Sequence, residues 1–303
     1  MHKIHGLQKN LQSHLALLGT NLFFAINLTA VKYLIGNGYV KAFGLNFIRI
    51  SVTAALLWLI FLFNPVKNRI DRKDFGRFVL CSITGIVINQ LLFIKGLSFT
   101  YPIHASLLML ITPILITLIA SWLLKEKINS YKITGLIFGI SGAAVLILAR
   151  VQAANAKEVM LGDILIIINA ISYTFYFILV KPLMKAYNPI TVIRMIFTIG
   201  VFVAFPFCWT EFSQTPWHLY GSIELTMLGL IVIGGTFLAY LFNVYGIKIL
   251  GASVAGSYIY SQPVFATIIA VIFLGDELEL YKIIAAVFIF SGVYLANKSI
   301  AHD

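Results

Sequence analysis

Shifted against itself by 150 positions, the chain finds itself again. Gly96 falls on Gly246, Ala105 on Ala255, Pro113 on Pro263, Thr117 on Thr267 and Leu124 on Leu274. Tyr131-Lys132-Ile133 falls on Tyr281-Lys282-Ile283, and Ser141-Gly142 on Ser291-Gly292. Gly85 over Gly235 extends the register upstream, and a slightly smaller offset pairs Ile48-Arg49 with Ile193-Arg194 and Lys32 with Lys181. A fold compatible with this pattern must use one helical unit twice, and repeated hydrophobic units are how many transporters are built. The expected division is residues 1–155 for the first unit and 156–303 for the second.

Hydrophobic residues make up 60% of the chain and charged residues 11%, with a mean hydropathy of +0.95. A soluble domain has roughly 45–50% apolar and about 25% charged residues. The excess is lipid-facing surface, because a helix apolar all round belongs in a membrane. Apolar runs long enough to cross occur at about 14–35, 43–63, 77–97, 103–124, 131–150, 161–181, 190–209, 224–248, 252–275 and 281–298. These are spans 1 to 10. Gly36-Asn37-Gly38, Asn64-Pro65, Tyr101-Pro102 and Asn188-Pro189 punctuate them. The fold class expected is therefore all-α and integral to the membrane: ten transmembrane helices as two inverted five-helix repeats around a central cavity. Five spans per unit is an odd number, so the second copy enters the bilayer upside down.

The net charge of +11 comes from 22 Lys and Arg against 11 Asp and Glu. Basic loops on the cytoplasmic face, against anionic lipid, account for it better than nucleic acid does. Lys67, Arg69, Arg72, Lys73 and Arg77 crowd one loop, and Lys125, Lys127, Lys132, Lys181 and Lys185 lie on the same side if the N-terminus is inside. The loop 210–223 has no Lys or Arg. The positive-inside rule then predicts a multi-pass protein of the cell (inner) membrane with both termini cytoplasmic. Lys41, Arg150, Lys157 and Lys282 are the exceptions. The first apolar run reads as a retained span rather than a signal peptide. Two cysteines, Cys81 and Cys208, make no disulfide framework or zinc pattern, and neither metal nor cofactor is expected.

Several residues carry a resemblance. Gly96-Leu97-Ser98-Phe99-Thr100 through Ala105-Ser106, then Pro113 and Leu123-Leu124-Lys125-Glu126, form one copy. Gly246 through Gly251-Ala252-Ser253, then Gln262-Pro263-Val264, Leu274-Gly275-Asp276-Glu277-Leu278 and Ser291-Gly292-Val293, form a better one. Together they resemble the EamA-type repeat of the drug/metabolite transporter superfamily over nearly the whole chain. Lys125 departs from the family pattern, where Gly is usual. The resemblance implies ten helices, both termini inside, a cavity lined by spans 1, 3, 4, 6, 8 and 9, and small metabolites as cargo. Many relatives export amino acids, and some carry phosphorylated or nucleotide-linked sugars.

Pro113 and Pro263 occupy equivalent mid-span positions, where proline frees the carbonyl four residues earlier, at Met109 and Ile259. They serve either as plain kinks or as hinges. The polar set within the spans is uncharged. Asn27 and Tyr173 fall roughly 18 Å into their spans, near the midplane. Asn169, Tyr173 and Tyr176 share one face of span 6 at i, i+4 and i+7. With Asn21, Asn89, Lys95, Tyr240, Asn243, Tyr258 and Gln262 they are the candidate substrate-binding residues. Such a set suits stacking on a flat or apolar group and hydrogen-bonding an amine or carboxylate. Helix–helix hydrogen bonding is the alternative for any one of them. Arg49 and Arg194, each a turn or two inside a span, could attract an anion or serve structure in both halves alike.

No Asp or Glu lies deep in any span, and His104 alone could titrate near neutrality inside one. That favours facilitated export or exchange over a proton antiporter built on a midplane carboxylate. Gly135-x-x-x-Gly139, with Gly142 and Ser291-Gly292, is assigned to scaffold packing of spans 5 and 10; it leaves homodimerisation open without predicting it. The function expected is secondary transport of small metabolites, amino acids above all, outward by alternating access. The alternative is exchange of phosphorylated or nucleotide-linked sugars, and after it a receptor or scaffold. A membrane enzyme would need a nucleophile with a base or a metal cluster, and none is visible.

Overall fold

A computed structural model describes residues 2–63, 70–99, 108–113, 115–116, 119, 129–148, 159–274 and 280–298, and short turns alone interrupt the helices among them. Among the described residues six helices are long and apolar enough to cross a bilayer: Lys9–Gly36, Ala42–Phe63, Arg72–Phe99, Met160–Ala186, Pro189–Ser213 and Ser222–Leu250. They are spans 1, 2, 3, 6, 7 and 8. Spans 5 and 10 are the helices Ser130–Leu148 and Leu280–Lys298. Span 9 comes in pieces, Ala252–Ser257, a tight 3₁₀ turn Tyr258–Ser261, and Gln262–Leu274. Most of span 4, with His104, Lys125 and Lys127, lies outside the described residues.

Leucine and phenylalanine point outward where a soluble protein would be polar: Leu62 is 72% exposed, Phe63 77% and Phe202 76%. That surface is stable only against lipid. The acids at span ends act as caps. Glu211 accepts from the backbone N–H of Phe43 (2.7 Å) and Gly44 (3.3 Å), satisfying donors at the start of span 2. Glu224 folds back on the N–H of Gly221 (2.9 Å) and accepts from Tyr33 (3.0 Å). Asn188 caps span 7, its side chain accepting from Ile190 N–H at 3.0 Å, with Pro189 in the first turn. The chain passes from span 8 to span 9 through Gly251 at φ 87°, a left-handed conformation that glycine tolerates best.

Both span 3 and span 8 widen into π-helix, at Ile83–Ile88 and Leu230–Leu238. Each widened stretch contains one of the paired glycines, and each receives a side chain from the other half. A Cβ on Gly85 would strike the Tyr176 ring, and one on Gly235 would strike the Asn27 amide. The same exchange recurs along the helices. Gly246 seats Leu17 while Gly96 seats Ile166. Thr20 donates to the Ala239 carbonyl (3.2 Å), while Asn169 donates to the Asn89 carbonyl. Phe23 packs on Gly234, while Ser172 donates to the Thr84 carbonyl (2.8 Å). Span 1 thus lies on span 8 as span 6 lies on span 3, position for position at offsets of 149 and 150.

Spans 5 and 10 form a separate tight pair. A Cβ on Gly142 would meet the Ala285 carbonyl at 2.7 Å, and one on Gly292 the Gly135 carbonyl at 2.6 Å. The small-residue face assigned to scaffold is therefore buried within the chain, backbone against backbone. Cys81 and Cys208 are buried free thiols.

Candidate functional site

A cavity of about 150 Å³ opens where the two halves meet. Span 1 gives it Phe24, Asn27 and Leu28; span 3 gives Asn89, Gln90, Phe93 and Leu97; span 4 gives Met109 and Leu110. Span 6 adds Asn169 and Tyr173, span 8 adds Tyr240, and span 9 adds Ile259, Gln262, Pro263 and Ala266. These are the six spans named above on resemblance. Span 2 is a seventh contributor, through Arg49.

Arg49 is held by the widened turn of span 8. The Thr236 hydroxyl donates to the Ile231 carbonyl (2.9 Å), five residues back, a reach that the π-helical turn provides. With its proton committed, the same oxygen accepts from Arg49 Nε at 2.9 Å. Arg49 is 5% exposed, and among the described residues no carboxylate faces it. It is the charged side chain in the cavity wall.

Polar residues elsewhere in the wall are tied down by backbone carbonyls. Gln90 donates to the Tyr240 hydroxyl (3.0 Å), which donates to the Gly85 carbonyl (2.8 Å). That carbonyl lies in the other π-helical segment, whose register leaves oxygens without ordinary α-helical partners. Asn243 donates to the Tyr173 hydroxyl at 2.8 Å, and Tyr173 stacks on Tyr176 with planes 7° apart. Rings from Phe24, Phe93, Tyr173 and Tyr240, with Leu, Met and Ile side chains between them, make the rest of the wall largely apolar.

Of the candidate substrate-binding residues, Asn27, Asn89, Asn169, Tyr173, Tyr240 and Gln262 reach the cavity, together with Pro263. Asn243 stands behind Tyr173, and Tyr176 lies beneath Gly85, 1% exposed. Asn21 spends its amide on the Leu17 carbonyl (2.8 Å) of its own helix. Tyr258 pairs with His14 Nδ1 at 2.6 Å, away from the wall. Lys95 holds its ammonium over the rings of Phe99 (4.7 Å) and Phe43 (5.9 Å). These five do not line the cavity.

The prolines differ from mid-helix kinks. Pro263 stands in the first turn of Gln262–Leu274, directly after the 3₁₀ turn, so it starts a helix at a position where its missing N–H costs nothing. In span 4 the turn falls at Leu110, three residues before the buried Pro113. Met109 and Ile259, the residues four before each proline, both line the cavity although Pro113 does not, and the Ile259 carbonyl is not left free but accepts from the Gln262 N–H.

Gln90 was absent from the substrate-binding candidates, and Arg49 was named only as a group that could attract an anion or serve structure. Gln90 had a signal: it falls on Tyr240 at the 150-residue offset. Arg49 was obscured by its counterpart Arg194, which packs over Phe61 (3.6 Å) and Trp58 (4.7 Å), away from the cavity.

Comparison with known proteins places the chain. The model of the EamA-like transporter family matches residues 11–148 and again residues 160–298. The uncharacterized transporter YyaM of Bacillus subtilis is 25% identical over 299 residues, covering 95% of this chain and 94% of that protein. An uncharacterized transporter of Archaeoglobus fulgidus is 23% identical over 282 residues, covering 92% and 96%. A WAT1-related protein of Arabidopsis thaliana is 24% identical over 247 residues, covering 72% and 67%. One solved crystal structure superposes with a TM-score of 0.76 at 20% identity, over 94% of this chain and 96% of that one, so the two chains share a fold. With a double family match and a chain of membrane-length helices around a shared cavity, the protein belongs to the EamA-like transporter family and is a multi-pass membrane transporter.

Proposed function

We propose that the protein is a secondary carrier that moves small metabolites, amino acids or related compounds above all, outward across the cell (inner) membrane by alternating access. The observation that carries this reading is the matched lining of the cavity. Phe24 and Tyr173, Gln90 and Tyr240, and Met109 and Ile259 are partners under the repeat offset, and all six residues line it. A site built from both copies at their seam is what an inverted-repeat carrier needs.

Five spans in each half put the second copy upside down, and the basic loops put both termini in the cytoplasm. In that orientation Asn89, Phe93, Leu97 and Asn169 stand in the outer half of the membrane. The Asn243–Tyr173 and His14–Tyr258 bonds stand nearer the cytoplasmic side. The arrangement is then an outward-facing state, closed below the cavity. The turn at Leu110 and the 3₁₀ turn before Pro263 are the hinges.

Size bears on the cargo. A volume of about 150 Å³ is well under the roughly 300–1,000 Å³ of sites for drug-sized ligands. It favours an amino-acid-sized molecule over a nucleotide-linked sugar. The test is efflux of labelled amino acids from liposomes containing the purified protein. Saturable flux for at least one of them is expected; no flux across a broad metabolite panel would count against the carrier.

A further inference from the structure

We infer that Arg49 is the carboxylate-binding group of the cavity, and that the cargo is a small compound bearing one free carboxylate on an apolar body. The inference rests on the reading that cargo sits in this cavity, and it narrows what that cargo is.

A guanidinium deep in a membrane protein is costly unless something pairs with it. Arg49 is 5% exposed, and its one hydrogen bond is Nε to Thr236. Among the described residues nothing else bonds its terminal nitrogens, and the side chain forms part of the cavity wall. The bond at Nε fixes the plane of the guanidinium, so the terminal donors form a preset fork. Such a fork matches the two oxygens of a carboxylate.

Arg194 provides the control within the same chain. An arginine at the matching repeat position with only a structural task is covered by aromatic faces, Phe61 and Trp58. Arg49 lacks that cover. It is instead positioned by a hydroxyl that the π-helical turn of span 8 presents.

Charge count decides between carboxylate and phosphate. A phosphate dianion calls for more than one cation in a low-dielectric site. Among the described residues the wall supplies Arg49 alone, while the Lys95 ammonium is engaged over Phe99 and Phe43. The remaining surface sets the body of the ligand. Phe24, Phe93, Leu97, Met109, Tyr173 and Ile259 offer faces for a ring or branched alkyl group.

The test titrates the purified full-length protein in detergent, read by thermal shift, with phenylalanine, leucine and 3-phenylpropionate and with the carboxamide of each. At least one acid should bind about tenfold or more tightly than its amide, the factor expected for a hydrogen-bonded charge. In Arg49→Gln the ratio should fall to near one. Arg49→Lys keeps the charge for folding but loses the fork, and its ratio should fall between the two. Acids and amides binding alike, no acid binding at all, or a preference surviving in Arg49→Gln would each overturn the assignment. If Arg49→Gln does not fold, an unchanged ratio in Arg49→Lys overturns it. The carrier reading is judged separately by liposome flux, so flux with no acid preference removes the Arg49 assignment and leaves the carrier standing.

Discussion

Arg49 and Arg194 each follow an isoleucine at matching places in the two halves, yet one lines the cavity and the other lies against Trp58 and Phe61. The helix contacts between spans 1 and 8 and between spans 6 and 3 are, by contrast, duplicated: Leu17 on Gly246 and Ile166 on Gly96, Thr20 on the Ala239 carbonyl and Asn169 on the Asn89 carbonyl. The lesson is a division of labour. Close packing at glycines and carbonyl acceptors tolerates little change, because a Cβ there meets another helix. Side chains facing the cavity meet empty space, so each copy could acquire its own chemistry.

The largest effect expected of any substitution separates the arginines. Arg49→Gln removes the charge that the described wall carries and should lower liposome flux by at least about thirtyfold, the cost of losing a partner from a buried charge pair. Arg194→Gln removes a buried cation–aromatic contact over Phe61 and Trp58, worth about 2 kcal/mol of stability, at a place that does not touch the cavity. It should leave flux within about threefold of the wild type. Equal losses in the two variants would mean that both arginines serve the scaffold and that the cavity does not use its charge.

Next in size is the contrast between the paired glycines. Gly85→Ala drives a Cβ into the ring of Tyr176, which is 1% exposed and stacked on Tyr173. The ring has nowhere to go, so a loss of about 1–3 kcal/mol of stability is expected, the range for overpacking a tight core. Gly235→Ala meets the Asn27 amide, which borders the cavity and can move into it. Its stability cost should sit near the low end, about 1 kcal/mol, while flux falls further than in Gly85→Ala. Thermal denaturation and flux on the same two proteins check both statements. A larger stability loss in Gly235→Ala would reverse the ranking of the two sites.

Much of this organisation was legible before any coordinates. Period and hydropathy mark the repeat and most spans, since lipid enforces long apolar helices. Asn27, Asn89, Asn169, Tyr173, Tyr240 and Gln262 could be picked because amides and phenols deep in a span need a reason to be there. Lys95 and Tyr258 show the limit of that rule: a ring face or a histidine is also a sufficient reason. The π-helical stretches were not visible, because Ile83–Ile88 and Leu230–Leu238 read as ordinary apolar helix and the extra residue per turn leaves no compositional mark. Thr236 was missed for the same reason, and the orientation of Arg49 depends on it. The place of Pro263 in the first turn of a helix was not visible either, because the sequence does not disclose the 3₁₀ turn before it.

The smallest effect concerns the two ends of the cavity. Asn243 and Tyr173 are joined at 2.8 Å, and their repeat partners are Phe93 and Phe24, which line the cavity with no hydrogen bond available to them. On the proposed alternating access, one end is latched by a polar bond and the other would close on ring contacts. Tyr173→Phe takes away the acceptor and leaves a buried amide donor unsatisfied, costing the latched state about 1–3 kcal/mol. The partner change, Phe24→Tyr with Phe93→Asn, places the same bonding pair at the other end and should favour its closure by about 1 kcal/mol. Both changes push the population the same way. Because Cys81 and Cys208 are buried, a single Leu97→Cys reports on the open end through its maleimide labelling rate. That rate should fall about threefold to tenfold in Tyr173→Phe and about fivefold in the grafted pair. Faster labelling in either would mean that the hydrogen bond holds the cavity shut rather than open at Leu97.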